Sequence, residues 1–146
     1  TGWLEQAWFP WGGFEMQYKG IKPKILIEPL LRDMIDKQSI EINVYCFNGI
    51  PEIIVKIHNK IEYTFYDKNF NNINNIFFKP VVTVNERSEG YIKQAVQLSS
   101  KLSSHFDFVR VDFLLYKQRL YFLEMTFTPY SGFYKLRDYK TELKYG

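Results

Sequence analysis

Phe108 to Thr128, FVRVDFLLYKQRLYFLEMTFT, is the stretch on which the fold turns. Val109, Val111, Phe113 and Leu115 alternate with Arg110, Asp112, Leu114 and Tyr116. Tyr121, Leu123, Met125 and Phe127 then alternate with Phe122, Glu124 and Thr126. A period of two is the signature of β-strands, and the polar run Lys117-Gln118-Arg119 between them reads as a tight turn. A turn centred on Gln118 sets Asp112 opposite Glu124 and Arg110 opposite Thr126, all on one face. Carboxylates directly across a strand pair have Cβ atoms about 4.5–5.5 Å apart and repel. The pattern calls for compensation, and a bound divalent cation supplies it. Mg²⁺ takes one or two carboxylates plus phosphate oxygens, and Arg110 beside them suits a phosphate. The plainer alternative is a solvated sheet face on which Arg110 and Arg119 partner the two acids.

Outward from this hairpin the pattern stays strand-rich. Asn85 to Ser104 reads as one long helix, capped by Asn85. Ile92, Ala95, Val96 and Leu102 fall near one face, which is expected to pack on the sheet. Upstream, Glu41–Phe47 and Pro51–Ile57 flank Asn48-Gly49, a strong hairpin signal. Ile61–Tyr66 is a further strand. Asp67 opens an asparagine-rich loop, where an aspartate commonly closes a local turn. Lys24–Glu28, KILIE, reads as a short strand followed by Pro29-Leu30-Leu31, and residues 32–39 as a polar loop or helical turn. Residues 1–20 hold all three tryptophans and the turn signals Pro10 and Gly12-Gly13, and read as the continuation of something earlier. Lys79 sits in an apolar run and is expected to be structural. The sum is an α+β fold: an antiparallel sheet of about six strands with one main helix on a face. No repeat or second-domain boundary is visible.

Composition narrows the function classes. A length of 146 residues is one domain's worth. The net charge of +3 suits phosphorylated ligands, but there is no basic run or nucleic-acid motif. Thirteen Phe and eleven Tyr favour a sheet-rich core over a carbohydrate-stacking surface. Cys46 is the single cysteine, so no intrachain disulfide can form. No apolar run is long enough for a membrane span, and the first residues do not read as a signal peptide, so a cytoplasmic location is the default expectation. His58 and His105 lack zinc-ligand spacing. P-loop, dinucleotide-binding and nucleophile-elbow motifs are absent.

Arg110-Val111-Asp112, then Glu124-x-Thr126, then the Pro129-x-Ser131-Gly132 turn resemble the metal- and phosphate-binding end of an ATP-grasp enzyme. Tyr18-Lys19 with Ile21-Lys22-Pro23, Ile27-Glu28, Val44 to Gly49, Phe65-Tyr66-Asp67 and Thr126 to Phe133 narrow this. From about residue 12 onward the chain resembles the TupA-like ATP-grasp family of polysaccharide and teichuronopeptide biosynthesis. The resemblance implies ATP and Mg²⁺ as cofactors and activation of a carboxylate as an acyl phosphate for attack by an amine. It implies small-molecule or glycan-linked carboxylate and amine substrates. On it, Asp112, Glu124 and Thr126 bind Mg²⁺, and Arg110 holds the γ-phosphate or acyl phosphate. Ser131 and the Gly132 backbone face the acyl intermediate or acceptor. Glu28, Leu30 and Glu41 meet the nucleotide's base and ribose. Asn43 stands where the family usually has a lysine, and Phe70 where it usually has a tryptophan. In the family, a half bearing phosphate-binding lysines and a glycine-rich lid precedes this region. The chain is therefore expected to be a C-terminal portion, its other half supplied by a longer precursor or another chain. Two other readings stay open: a noncatalytic remnant or binding module, and a carbohydrate-active enzyme. Asp112 and Glu124 could serve the latter as an acid/base pair, since retaining glycosidases set their carboxyls about 5–5.5 Å apart.

Overall fold

Alternating apolar residues bounded by turn signals build five strands and two helices. They are β1 (Ile40–Phe47), β2 (Ile50–His58), β3 (Glu62–Asp67), α1 (Glu89–Leu102), β4 (Phe108–Tyr116), β5 (Arg119–Thr126) and α2 (Tyr139–Tyr145). The computed structural model describes residues 2–5, 15–29, 31, 40–74, 88–132 and 136–145. Expectations for Leu30, for residues 32–39, for Lys79 and for the Asn85 cap lie outside these. The strands form one sheet in the order β3-β2-β1-β4-β5, every neighbouring pair antiparallel. The expected α+β architecture is the one found.

The turns fix the register. Asn48 and Gly49 join β1 to β2 with φ of 49° and 76°, as a two-residue turn matching strand twist requires. A Cβ on Gly49 would lie 3.2 Å from the Ser104 Cα, so glycine is needed for space as well as for φ. β4 and β5 close differently from the expected turn centred on Gln118. Tyr116 pairs with Arg119, leaving only Lys117 and Gln118 in the loop, at φ of 47° and 62°. Left alone, that register would set Asp112 opposite Leu123. The pairing jumps between Phe113↔Phe122 and Asp112↔Glu124. Leu123 is the extra residue of a β-bulge, and the bulge restores the pairing of the two acids.

α1 lies between β3 and β4 in sequence and covers one face of the sheet. Ile92 and Ala95 pack on Ile42, Val44, Cys46, Ile54, Val109, Val111 and Phe113. Each buried valine or isoleucine contributes about 1.5–3 kcal/mol relative to exposure. Leu102, expected on this face, stays 40% exposed at the helix end. Lys56 of β2 is buried and donates to Ser88 Oγ at 3.2 Å, tying the strand to the residue before the helix. On the opposite face, Ile53, Val55, Ile57 and Phe65 form a second apolar cluster with Tyr45, Tyr63, Leu136 and Tyr145.

One expected strand does not form. Residues 24–28 run without regular structure, with Ile25, Leu26 and Ile27 exposed. A strand needs a neighbour's backbone groups, and none of the described strands lies beside this segment. Asp67 behaves as the local turn-former expected. Its Oδ1 accepts from the Asn69 and Asn71 backbone N–H groups at 2.9 and 2.8 Å, and its Oδ2 from the Asn71 side chain at 2.9 Å. Those bonds, led by the Asn71 side chain, hold its carboxyl below the usual range.

The turn geometry makes two opposite predictions. Gly49→Ala loses about 1–2 kcal/mol, the cost of a left-handed β-carbon, with the Ser104 contact adding to it. Gln118→Gly gains about 0.4–1 kcal/mol by relieving a left-handed glutamine. Urea unfolding midpoints of the two variants check both signs.

Candidate functional site

The register places two cross-strand rows side by side on the face away from α1. Asn43 of β1 pairs with Asp112 of β4, which pairs with Glu124 of β5. One pleat along, Tyr45 pairs with Arg110, which pairs with Thr126. The first row offers oxygen acceptors. The second is built around a cation and hydroxyls.

Arg110 binds the two rows together. Its Nε donates to Asp112 Oδ1 at 2.8 Å and Oδ2 at 3.1 Å, and its Nη2 donates to Oδ2 at 2.6 Å. Nη2 also donates to Thr126 Oγ1 at 3.2 Å and lies 3.7 Å from Glu124 Oε1. Thr126 Oγ1 passes its own hydrogen to Glu124 Oε1 at 3.3 Å. The guanidinium sits 6.0 Å from the Tyr45 ring centre, in cation–π range. Arg119, the other suggested partner for the acids, pairs with Tyr116 at the far end of the hairpin.

Electrostatics follow from burial. The Asp112 side chain is 6% exposed and that of Arg110 12%, whereas Glu124 is 64% exposed. Burial pushes the Asp112 carboxyl above the usual carboxylate range; Arg110's hydrogen bonds and charge oppose this, while Glu124 and Glu41 add to it. Burial, the largest influence, pulls Arg110 down, but the hydrogen bonds and charge of Asp112, together with Tyr45, outweigh it and leave it raised. Burial also pushes the Tyr45 hydroxyl up to about 12, against the pull of Arg110.

One polar atom in the acceptor row is unsatisfied. Asn43 is 9% exposed, and its Oδ1 is buried with no hydrogen-bond partner. An orphaned buried acceptor beside a buried carboxylate is a position where a donor or cation lowers the free energy. Among the described residues there is no cluster of three or more His, Cys, Asp or Glu able to hold a metal. The oxygen set here is two carboxylates, a hydroxyl and an amide carbonyl. That is a hard-ligand set of the kind Mg²⁺ accepts when phosphate completes its shell.

The remaining expected residues are placed unevenly. Glu41 shares the face with Asn43 two residues along β1 and is close enough to bias Asp112. Ser131 and Gly132 lie in the turn just beyond β5. There Tyr130, Ser131 and Gly132 are consecutively left-handed, with φ of 53°, 56° and 74°. Strain of this kind in non-glycine residues clusters at functional sites. Ser131 N–H donates to Thr128 O at 2.9 Å. Thr128 Oγ1 in turn donates to Glu15 at 3.1 Å and accepts from Gln17 at 3.0 Å, so residues 15–17 are tied to the same turn. Glu28 sits on the exposed 24–28 segment. Leu30 is outside the described residues.

Sequence reading missed a groove of about 710 Å³ beside the donor row. Tyr45, Phe47, Phe108, Phe127, Tyr130 and Tyr145 are among the rings that line it, and Gly132 closes one side. The cross-strand partnership of Tyr45 with Arg110 was the only signal available, and it required knowing that β1 pairs with β4.

A comparison with protein-family profiles matches TupA-like ATPgrasp over residues 11–146. No curated protein and no solved structure matches.

Breaking the central pair tests its energetics. Arg110→Met is expected to lose about 3–5 kcal/mol, because Asp112 is left as an uncompensated buried charge. Arg110→Met with Asp112→Leu recovers most of that loss. The single variant's deficit shrinks towards about pH 4. Its folded Asp112 pKa lies above the unfolded value near 3.9, so stability from that group is present below the unfolded pKa and is lost as pH rises through the folded one. Urea titrations across pH read all three effects.

Proposed function

The chain belongs to the TupA-like ATP-grasp family, and from that premise we propose that it carries the metal- and phosphate-handling face of an ATP- and Mg²⁺-dependent carboxylate–amine ligase serving cell-surface polysaccharide assembly. The observation that carries this reading is the pairing of an acceptor row, Asn43–Asp112–Glu124, with a donor row, Tyr45–Arg110–Thr126. A nucleotide-dependent ligase needs both. Acceptors hold the cation, and a fixed guanidinium meets phosphoryl charge.

In this reaction class a substrate carboxylate attacks the γ-phosphorus of ATP, releasing ADP and leaving an acyl phosphate. An amine then attacks the acyl carbon, inorganic phosphate departs, and the amine gives up a proton as the amide forms. Mg²⁺ supplies charge neutralisation on the phosphoryl oxygens. Asp112, Glu124 and Thr126 are the residues assigned to hold it, with the unpartnered Asn43 carbonyl as a fourth oxygen. Arg110 is pinned by Asp112 through two nitrogens, so its direction is set before any ligand arrives. Glu124 is exposed and loosely held, and can turn towards a ligand without disturbing the fold. Ser131 and the Gly132 backbone are assigned to the acyl intermediate or the acceptor, on a turn whose left-handed backbone is already fixed. Glu41 is assigned to the ribose, with Glu28 and Leu30 towards the base. The lysine-bearing half and lid of the family would come from a longer chain or a partner.

The raised Asp112 carboxyl on its own would suit a general acid, as a two-carboxylate carbohydrate enzyme requires. Both of its oxygens, however, accept from Arg110. Protonation would remove the negative charge that strengthens both bonds, which disfavours that reading. Among the described residues no helix is long and apolar enough to cross a membrane.

Calorimetric titration with ATP, with and without Mg²⁺, tests the assignment. Mg²⁺-dependent binding is expected. Glu124→Gln should weaken it by at least the roughly 10- to 100-fold that losing an outer-shell partner costs a metal site. Asp67→Asn, in its surface turn, should leave it within about twofold, as substitutions remote from a site add independently. Equal losses in the two variants would remove Glu124 from the metal site.

A further inference from the structure

Apart from Tyr45 and Gly132, the residues lining the groove beside the donor row have no role in the chemistry above, and the lining is specific. Tyr45, Phe47 and Phe108 rise from the sheet, Phe127 and Tyr130 come from the turn after β5, and Tyr139 and Tyr145 come from α2. Phe47 and Phe108 meet in a tilted arrangement with centroids 5.1 Å apart, and Phe47 also meets Tyr145 at 6.3 Å. At the rim, Tyr139 is 73% and Tyr130 50% exposed. Thr128 and Glu142 add a hydroxyl and a carboxylate to the wall. The volume of about 710 Å³ falls in the range of small-ligand sites.

We propose that this groove is a glycan subsite, in which pyranose rings of the acceptor stack on Tyr130 and Tyr139 while their hydroxyls bond to Glu142, Thr128 and the tyrosine hydroxyls. Three features select a sugar. A pyranose presents a face of C–H bonds, slightly positive, that is attracted to the negative face of an aromatic ring. Its edge carries hydroxyls that need partners, and the lining interleaves ring faces with oxygen-bearing groups. An acyl chain would find those oxygens a desolvation penalty. A second phosphate would meet Glu142 as a like charge, whereas a neutral hydroxyl donates to it. The groove also ends at Tyr45, whose ring lies 6.0 Å from the Arg110 guanidinium. A sugar held here would thus present its reactive substituent to the donor row. As an acceptor site the proposal rests on the ligase reading. As a sugar site it stands alone.

The test is a glycan array spanning neutral and uronic-acid oligosaccharides, probed with the full chain without nucleotide or Mg²⁺. Hits would then be titrated by calorimetry. Binding to pyranose oligomers is expected, with Tyr139→Ala weakening it by roughly tenfold or more, the loss of about one stacking contact. Phe122→Ala, another exposed ring but on the other face of the sheet, should leave it unchanged. Tyr139 is exposed, so the variant retains the fold. A silent array, or hits indifferent to Tyr139→Ala, overturns the proposal. So does a silent array with self-association that Tyr139→Ala abolishes, which would assign the groove to a second copy of the chain. Omitting ATP and Mg²⁺ separates the two readings: the array tests the groove alone, and the nucleotide titration tests the ligase reading.

Discussion

The Arg110–Asp112 pair is the constraint around which the polar half of this sheet is arranged. The two residues are two apart on β4, so their side chains leave the same face. A carboxylate with 6% exposure is costly to bury, and so is a guanidinium with 12%. Either alone would be excluded from the middle of a sheet. Together, with two parallel donor–acceptor contacts, they are tolerated, and in exchange they give the site a cation of fixed direction. The neighbours follow from that. Tyr45 lies against the guanidinium, which its ring face attracts, and Thr126 accepts a hydrogen from Nη2. Glu124 stands outside the pair, held only through Thr126 and a longer contact to Arg110. One acid is thus structural and oriented, while the other is exposed and adaptable.

That division depends on the β4–β5 bulge. A two-residue turn is the favoured way to join these strands, and it sets an odd register sum. The pairing of Asp112 with Glu124 needs an even one. Leu123 supplies the missing residue. The irregularity falls between the turn-proximal half of the hairpin, which is ordinary structure, and the half bearing the polar rows. Bulges next to functional sites re-aim side chains in this way. Here the bulge brings the exposed acid alongside the buried one.

Much of this was legible in the sequence, for reasons that also explain what was not. Alternation in VRVDFLL identifies β4 because one face is buried under α1 and the other is turned to the polar rows; YFLEMTF alternates on β5, where Leu120 and Met125 are only partly buried against that core. The pairing of Asp112 with Glu124 was inferred from a turn centred on Gln118. The actual turn is one residue shorter and the bulge one residue longer, so two differences cancel at the acids but not at Phe113, which meets Phe122 instead. Asn48-Gly49 and the Asp67 turn were readable because their chemistry is local. The KILIE segment was misread because a short apolar run forms a strand only where a neighbour exists to bond with it. Asn43 appeared only as a missing cation; its position beside Asp112 depends on β1 pairing with β4 across the intervening α1, which no local signal encodes. The groove was invisible for the same reason. Its rings are spread over a hundred positions and meet only when the sheet order and α2 are in place.

The strand order also explains why one face carries both polar rows. β1 is the central strand, and its even-numbered residues Ile42, Val44 and Cys46 are sealed beneath α1. On the other face, Glu41, Asn43, Tyr45 and Phe47 pass in order from acid, through amide and phenol, to a bare ring. Across from them, β2 contributes Ile57, Val55 and Ile53, while β4 contributes Leu114, Asp112 and Arg110, then Phe108. The face is therefore graded along two axes. It runs from apolar to polar between β3 and β5, and from acceptors to rings between the two ends of β1. Phosphate-bearing and ring-bearing ligands would be sorted by that gradient, with Tyr45 and Arg110 at the boundary where the two kinds of ligand meet.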